Sequence, residues 1–282
     1  MARVLGRGEE ASEYVRLGQA VRDAFNAAFL GEDQYAAIRV SRIDNYPSQT
    51  SNALPLYLDM VPPEKKARVL ESLLRSVVRE QDGHVDTGIL GTRYLLDVLT
   101  MNGHAETAYR MVTQRSYPGW GYMVEEGATT LWERWEKLGG PGMNSQNHIM
   151  LCSVDAWFYR TIAGLSLLEP GWRKFRVKPH VLGDLVSAEA SLKTVRGPVR
   201  AAWKKDQDSF SLEVLVPICA TARVHLPLIF PDANVLESCK VVWRGFGPGE
   251  AVPGLTPAGP EDRALVFEAA SGAYLFEMKR GS

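Results

Sequence analysis

The sequence predicts a multidomain α and β fold, with helices up to about residue 165 and an antiparallel β-sandwich after it. Three observations predict this. Apolar residues make up 45% of 282 residues, enough for one large core or two ordinary ones. Up to Leu165 they recur at intervals of three and four residues. Beyond it they alternate, and Pro170, Gly171, Pro179, Gly183, Gly197 and Pro198 punctuate short segments.

The helical part is clearest in PPEKKARVLESLLRSVVREQDG. There Val69, Leu70, Leu73, Leu74, Val77 and Val78 recur at helical spacing between charges. Pro62 and Pro63 suit the start of that helix, and Gly83 follows its end. TRYLLDVLTMNG sets Tyr94, Leu95, Val98 and Leu99 on one face and stops at Gly103. HAETAYRMVTQRSYPG begins at once with Ala108, Tyr109, Met111 and Val112 and breaks at Pro118. So short a link predicts antiparallel helices. SQNHIMLCSVDAWFYRTIAGL is apolar on most faces and predicts a buried helix, with Trp157, Phe158 and Tyr159 in the core. The domain boundary is expected near 165–172, dividing 1–165 from 166–282. In the second part, SAEASLKTV and FSLEVLVPICATARVHLPL alternate with period two, as strands with one buried face do. Residues 244–262 are dense in Gly and Pro and predict a loop. RALVFEAASGAYLFEMKRGS predicts a closing hairpin around Ser271-Gly272.

Several function classes are disfavoured. A formal net charge of -1 gives no electrostatic footprint for nucleic acid or an anionic membrane. Cys152, Cys219 and Cys239 are odd in number and far apart, which argues against a zinc site or disulfide framework and for a reducing compartment. MARVLGRGEEASEYVRLGQ has no apolar stretch of the signal-peptide kind, and no run approaches the roughly 20 apolar residues that span a bilayer. The expectation is a soluble, cytoplasmic protein without metal or cofactor.

One run carries chemistry. In EGATTLWERWEKLGG, Trp132 and Trp135 bracket Glu133 and Arg134. Rings that stack on sugar faces beside a carboxylate make a sugar site, whereas the same spacing also suits an amphipathic helix end. Trp120 follows Pro118 and Gly119, where core packing explains a large ring less readily. His148 stands among the polar Asn144 and Asn147. Asp86 is placed to reach a pocket rim, and His84, before the Gly-rich DTGILGT, suits a turn hydrogen bond better than a ligand contact. His180 and His225 fall among strands and are read as incidental.

HVDTGILGTRYLLDVLTMNGHAETAYRMVTQRSYPGWGYMVEEGATTLWERWE, followed by MNSQNHIMLCSVDAWFYRTIAG, resembles the bacterial α-L-rhamnosidases of glycoside hydrolase family 78. GATTLWERW followed by MNSQNH is the specific part, and the similarity runs from about Pro47 through the β-rich tail. The resemblance implies an (α/α)6 barrel, here an incomplete toroid comprising its C-terminal half, followed by the β-sandwich. It implies Glu133 as the general base of an inverting glycosidase, His148 as a sugar contact, and Trp120 and Trp132 as rings near the pocket. The family's acidic motif of the DCPQRDERLGW type, which carries the general acid, has no counterpart in residues 1–46. About seven helical segments precede Leu165, where a full barrel needs twelve.

Inverting hydrolysis requires a proton donor and an ionised base about 6.5–9.5 Å apart, with a water between. Thr129, Thr130 and Arg134 are expected to orient Glu133 and keep it ionised. Glu125, Glu126, Asp86 and Asp155 are available carboxylates, none with a spacing that singles it out as the donor. The expected partner is a rhamnose-containing glycoside or oligosaccharide, with self-association or a partner chain completing the barrel. Two alternatives stay open: a non-catalytic or degenerate sugar-binding fragment, and an (α/α)6 glycosidase of another sugar specificity.

Overall fold

The computed structural model describes residues 1–36, 49–140, 145–230, 233–245 and 247–280. By contacts the chain forms two compact units, Met1–Ser153 and Val154–Ser282.

The first unit is helical. It contains α1 (Gly8–Phe29), α2 (Gln49–Tyr57), α3 (Pro63–Arg75), α4 (Ile89–Met101), α5 (Ala105–Val112) and α6 (Trp120–Glu125). α3 starts with proline at its first position, where the missing N–H costs nothing, and a π-helical turn, Ser76–Glu80, extends it. Val69, Leu73 and Val77 are fully buried, while Leu70 and Leu74 are partly covered and Val78 is exposed. Ser72 and Ser76 are buried beside Leu73 and Val77, so the buried stripe runs through 69, 72, 73, 76 and 77, and the apolar Leu70 and Leu74 lie at its margin. α2 packs on α3 and α4, and α4 packs on α5. α2 and α4 approach so closely that a Cβ at Gly91 would collide with Thr50 Oγ1.

α1 differs from the rest: none of its 22 residues is buried. Its C-terminal end is anchored. Asn26 Nδ2 donates to Met60 O at 2.9 Å, Tyr35 Oη donates to Asn26 Oδ1 at 2.6 Å, and Phe25 meets Tyr35 at 5.5 Å. Towards its start, Tyr14, Leu17 and Val21 form an exposed apolar stripe at helical spacing.

The expected single helix over SQNHIMLCSVDAWFYRTIAGL is instead a succession of three pitches. A 3-10 turn (Ile149–Cys152) is followed by α7 (Ser153–Trp157) and a π turn (Phe158–Ile162). Each change of pitch rotates the following side chains away from the face a uniform helix would give them. Leu151 and Trp157 are buried as a result, and Ile149 and Phe158 are exposed.

The second unit is built of two sheets. The first has five strands in the order β1-β2-β6-β11-β10 and the second seven in the order β3-β4-β5-β12-β7-β8-β9. The strands are β1 (Leu165–Leu167), β2 (Lys174–Val177), β3 (Ser187–Thr194), β4 (Gly197–Lys205), β5 (Ser209–Val216), β6 (Thr221–Pro227), β7 (Val235–Glu237), β8 (Lys240–Arg244), β9 (Gly247–Pro248), β10 (Leu255–Glu261), β11 (Ala264–Ala269) and β12 (Gly272–Lys279). Phe267 of β11 and Phe276 of β12 meet across the two sheets at 5.4 Å, in a core with Phe210, Leu212 and Val224 all but fully buried. Among the described residues no helix is long and apolar enough to cross a membrane.

Three details depart from the sequence reading. Residues 255–261, expected as loop, form β10, the edge strand of the five-stranded sheet. Its prolines are tolerated because an edge strand need not donate from every N–H, and its register shifts between Pro257 and Gly259 as at a bulge. The tight hairpin lies earlier than expected, between β10 and β11, where Asp262 and Arg263 both adopt positive φ. β11 and β12 are not paired at all: β11 joins β6 and β10, whereas β12 joins β5 and β7. The sheets are also not wholly antiparallel, since β2 runs parallel to β6.

His225, in β6, is 3% exposed, and neither ring nitrogen has a hydrogen-bond partner among the described residues. Burial, and secondarily Lys178, pushes its pKa down to about 4, with Glu261 opposing. The folded value is depressed below the ordinary 6.5, so between pH 6.5 and 4 the unfolded chain binds a proton that the folded chain refuses. Stability is therefore full above about 6.5 and falls on acidification towards 4, by about 3 kcal/mol for this group. His225→Leu removes that slope. Melting temperatures of both proteins from pH 7.5 to 4.5 test this; parallel curves would place the acid sensitivity elsewhere.

Candidate functional site

The run from Glu126 to Gly139 is not a helix end. α6 stops at Glu125, where Gly127, at φ 81°, lets the chain turn back and Ala128 N donates to Met123 O at 2.9 Å. The chain then runs as a loop and is stitched to the SQNH run. Glu133 N donates to Ser145 O at 3.0 Å and His148 N to Leu131 O at 2.8 Å. Thr130 Oγ1 donates to Gln146 O. These bonds bring Glu133 and His148, fifteen positions apart in sequence, onto two adjoining segments.

Beneath them lies an apolar cluster. Met123, Trp132 and Leu151 are buried, with Ile89, Tyr122, Ala128, Leu131 and Trp135 packed against them. Trp120 is 6% exposed and Trp132 3% exposed. Trp120 Nε1 donates to Leu151 O at 3.0 Å, and its ring meets Trp135 edge to face at 5.0 Å. Trp135 Nε1 donates to Thr87 O at 2.7 Å, tying this loop to the segment that carries Asp86. Both expected rings therefore support the site from within, and little of either faces solvent.

Glu133 is partly exposed. Arg134 directs its guanidinium to Glu136, with two contacts of 3.3 Å, rather than serving Glu133 alone. That bond holds the Glu136 carboxyl below its usual range. Thr130 Oγ1 is engaged with Gln146 O. His148 caps the 3-10 turn, its Nδ1 accepting from Met150 N at 3.3 Å, so that Nε2 carries the proton in the neutral ring and points elsewhere as a donor. Asn144, expected beside it, lies outside the described residues.

Asp86 is held through its backbone. Its N–H donates to Oε1 of Gln49 at 2.8 Å, and Nε2 of the same Gln49 donates to His84 O at 2.9 Å. Gln49 is fully buried, and sequence reasoning missed it: an isolated Gln in PSQTSNA carries no local signal of a contact thirty-five positions on. Burial pushes the Asp86 carboxyl up from its ordinary pKa. His84 is a turn residue, its Nδ1 3.0 Å from Gln81 O and its Nε2 2.8 Å from Ser116 Oγ. Of the other carboxylates considered, Glu125 pairs with Arg115 at 2.9 Å, Glu126 pairs with Lys137 at 2.9 Å, and Asp155 is exposed. Among the described residues no three His, Cys, Asp or Glu side chains come together as a metal site.

Residues 1–162 match the family described as the bacterial alpha-L-rhamnosidase 6 hairpin glycosidase domain, and residues 164–237 match the bacterial alpha-L-rhamnosidase C-terminal domain. The chain is 34% identical over 275 residues to an alpha-L-rhamnosidase of Streptomyces avermitilis, covering 95% of this chain and 24% of that protein. The structure of an alpha-L-rhamnosidase from Dictyoglumus thermophilum superposes with a TM-score of 0.87 at 44% identity, covering 99% of this chain and 30% of that one. The Streptomyces avermitilis alpha-L-rhamnosidase complexed with L-rhamnose superposes with a TM-score of 0.82 at 33% identity, over 99% of this chain and 25% of that one. The chain thus spans between 24% and 30% of the length of these relatives.

Proposed function

The chain belongs to the bacterial α-L-rhamnosidase family, and we propose that it contributes the general-base side of a site hydrolysing terminal α-L-rhamnosyl residues with inversion. The carrying observation is the stitching of residues 131–133 to 145–148, which puts Glu133 and His148 on adjoining backbone segments, with Trp132 in the apolar cluster between them in sequence. In this reading Glu133 takes a proton from the attacking water, and His148 Nε2 donates to a sugar hydroxyl. Asp86 binds from the rim, while Trp120 and Trp132 form the apolar floor. Residues 1–165 act as the helical part and 166–282 as the sheet domain. The exposed stripe on α1 supports a further helical element or second copy lying against it. Free cysteines at 152, 219 and 239 support a cytoplasmic setting. A second reading, sugar binding without hydrolysis, draws on the engagement of Glu125 and Glu126 in ion pairs of their own.

Titration with L-rhamnose tests the site. A few placed hydrogen bonds, each about 0.5–1.5 kcal/mol net, predict a dissociation constant on the order of millimolar. The signals of Glu133, His148 and Trp132 shift, and His148→Ala weakens binding by about two- to tenfold. Shifts confined to residues 154–282 would move the sugar site to the sheet unit.

A further inference from the structure

Residues 84–88 lead into α4 without regular secondary structure, yet this strap is bonded from several sides. Gln49, at the start of α2, is fully buried against it. Its Oε1 accepts from Asp86 N at 2.8 Å, and its Nε2 donates to His84 O at 2.9 Å. A side-chain amide carries an acceptor and a donor together, so it can satisfy an N–H and a C=O of an extended segment as a neighbouring strand would. An ionised glutamate lacks the donor, and methionine offers only a thioether. Other partners fix the ends of the strap. His84 Nε2 lies 2.8 Å from Ser116 Oγ, and Thr87 Oγ1 lies 2.8 Å from Thr92 Oγ1 in the first turn of α4.

The strap is in turn bonded to the candidate site. Trp135 stands two positions after Glu133, and its Nε1 donates to Thr87 O at 2.7 Å. Ile89, just past the strap, packs on the cluster of Met123, Trp132 and Leu151. The Trp135 ring meets Trp120 edge to face at 5.0 Å, and Trp120 Nε1 donates to Leu151 O, three positions after His148. The segments that carry Glu133 and His148 are therefore both tied to one tryptophan pair, and that pair is fastened to the strap at Thr87. Glu133 sits on a loop, and a loop places a carboxylate only as well as its supports do.

We propose that Gln49 is a positioning residue for the candidate base: its amide fixes residues 84–87, and the Trp135–Thr87 bond passes that fixation to the loop bearing Glu133. This rests on the reading of Glu133 and His148 as a rhamnose site.

The experiment compares the full chain with Gln49→Met, which nearly keeps the volume and removes both bonds, by NMR hydrogen exchange and by titration with L-rhamnose. The Trp135 indole N–H and the His148 amide exchange about ten- to a hundredfold faster in the variant, and L-rhamnose binds about three- to tenfold more weakly. Val69→Ala, in the core of α3, serves as a control whose loss of melting temperature is matched by choice of temperature, and it leaves both readouts near those of the parent chain. Trp135→Phe keeps a ring against Trp120 and removes only the donor to Thr87 O. Combined with Gln49→Met, it weakens L-rhamnose no further than the worse single variant, because both act through one chain of contacts. An unchanged Trp135 indole in Gln49→Met, equal effects in Val69→Ala, or additive losses in the double variant overturn the proposal. Faster exchange with undiminished L-rhamnose affinity makes Gln49 purely structural and also overturns it. Absence of L-rhamnose binding by the parent chain removes the rhamnose-site reading, whereas faster Trp135 and His148 exchange in Gln49→Met still upholds the coupling of Gln49 to the loop. Should Gln49→Met fail to fold, Trp135→Phe decides: the Asp86 amide, held by Gln49, exchanges faster if the contacts are coupled, and an unchanged rate overturns the proposal.

Discussion

Glu133→Gln leaves L-rhamnose binding within about twofold and lowers hydrolysis of an aryl α-L-rhamnoside by about 10²–10⁴. The amide keeps the size of the carboxylate and its capacity to accept hydrogen bonds, so a ground-state sugar finds nearly the same pocket. It cannot take the proton that the attacking water must lose, and the loss therefore falls on turnover. The measurement is best made in a chimera in which this chain replaces the matching segment of a full-length relative, because it spans only 24–30% of such proteins. The two effects separate the proposal from its rivals. A fall in affinity equal to the fall in turnover would make Glu133 a binding residue only, and undiminished turnover would place the base elsewhere.

Trp132→Ala destabilises the helical unit by about 3–5 kcal/mol. The ring is 3% exposed and packed with Met123 and Leu151, so its removal leaves a cavity that the stitched loop cannot fill without breaking its own bonds. The loss extends to the site, since Trp132 precedes Glu133 and Leu131 accepts the bond from His148 N. Urea unfolding followed through a signal of the first unit gives the magnitude, and Trp132→Phe recovers part of it. A loss under about 1 kcal/mol would mean that the ring lies in open solvent and stacks on sugar from outside.

Much of the fold was legible because burial follows a period. Val69, Leu73 and Val77 announced α3, and the change to alternation announced the sheets. The failures have physical causes. β10 carries Pro257, Gly259 and Pro260, which mark loops locally but are admitted at an edge. β11 and β12 adjoin in sequence, and adjacency suggests a hairpin, yet the chain crosses between sheets at Ala270-Ser271. At the site, the residue types in TTLWERW and SQNH pointed to Glu133 and His148, and the backbone sets both on adjoining segments. What those types hid was exposure: a tryptophan bracketing a carboxylate reads the same whether its ring is open or, like Trp132, buried. Gln49 went unnoticed because its role depends on a partner thirty-five positions away.

α1 has a consequence for how its ordering depends on its surroundings. A helix that buries no residue draws little from tertiary packing, so its order rests on the balance between a costly nucleus and favourable propagation. Here the nucleus is supplied at the C-terminal end by Phe25 and Asn26, and the turns around Tyr14 and Leu17 are the ones expected to exchange their amide hydrogens first through local opening. Whatever covers the apolar stripe also orders those turns, so association and helix formation become one coupled equilibrium with the heat-capacity signature of both. The helicity of α1 is then set by mass action, and it rises with the concentration of whatever partner covers the stripe.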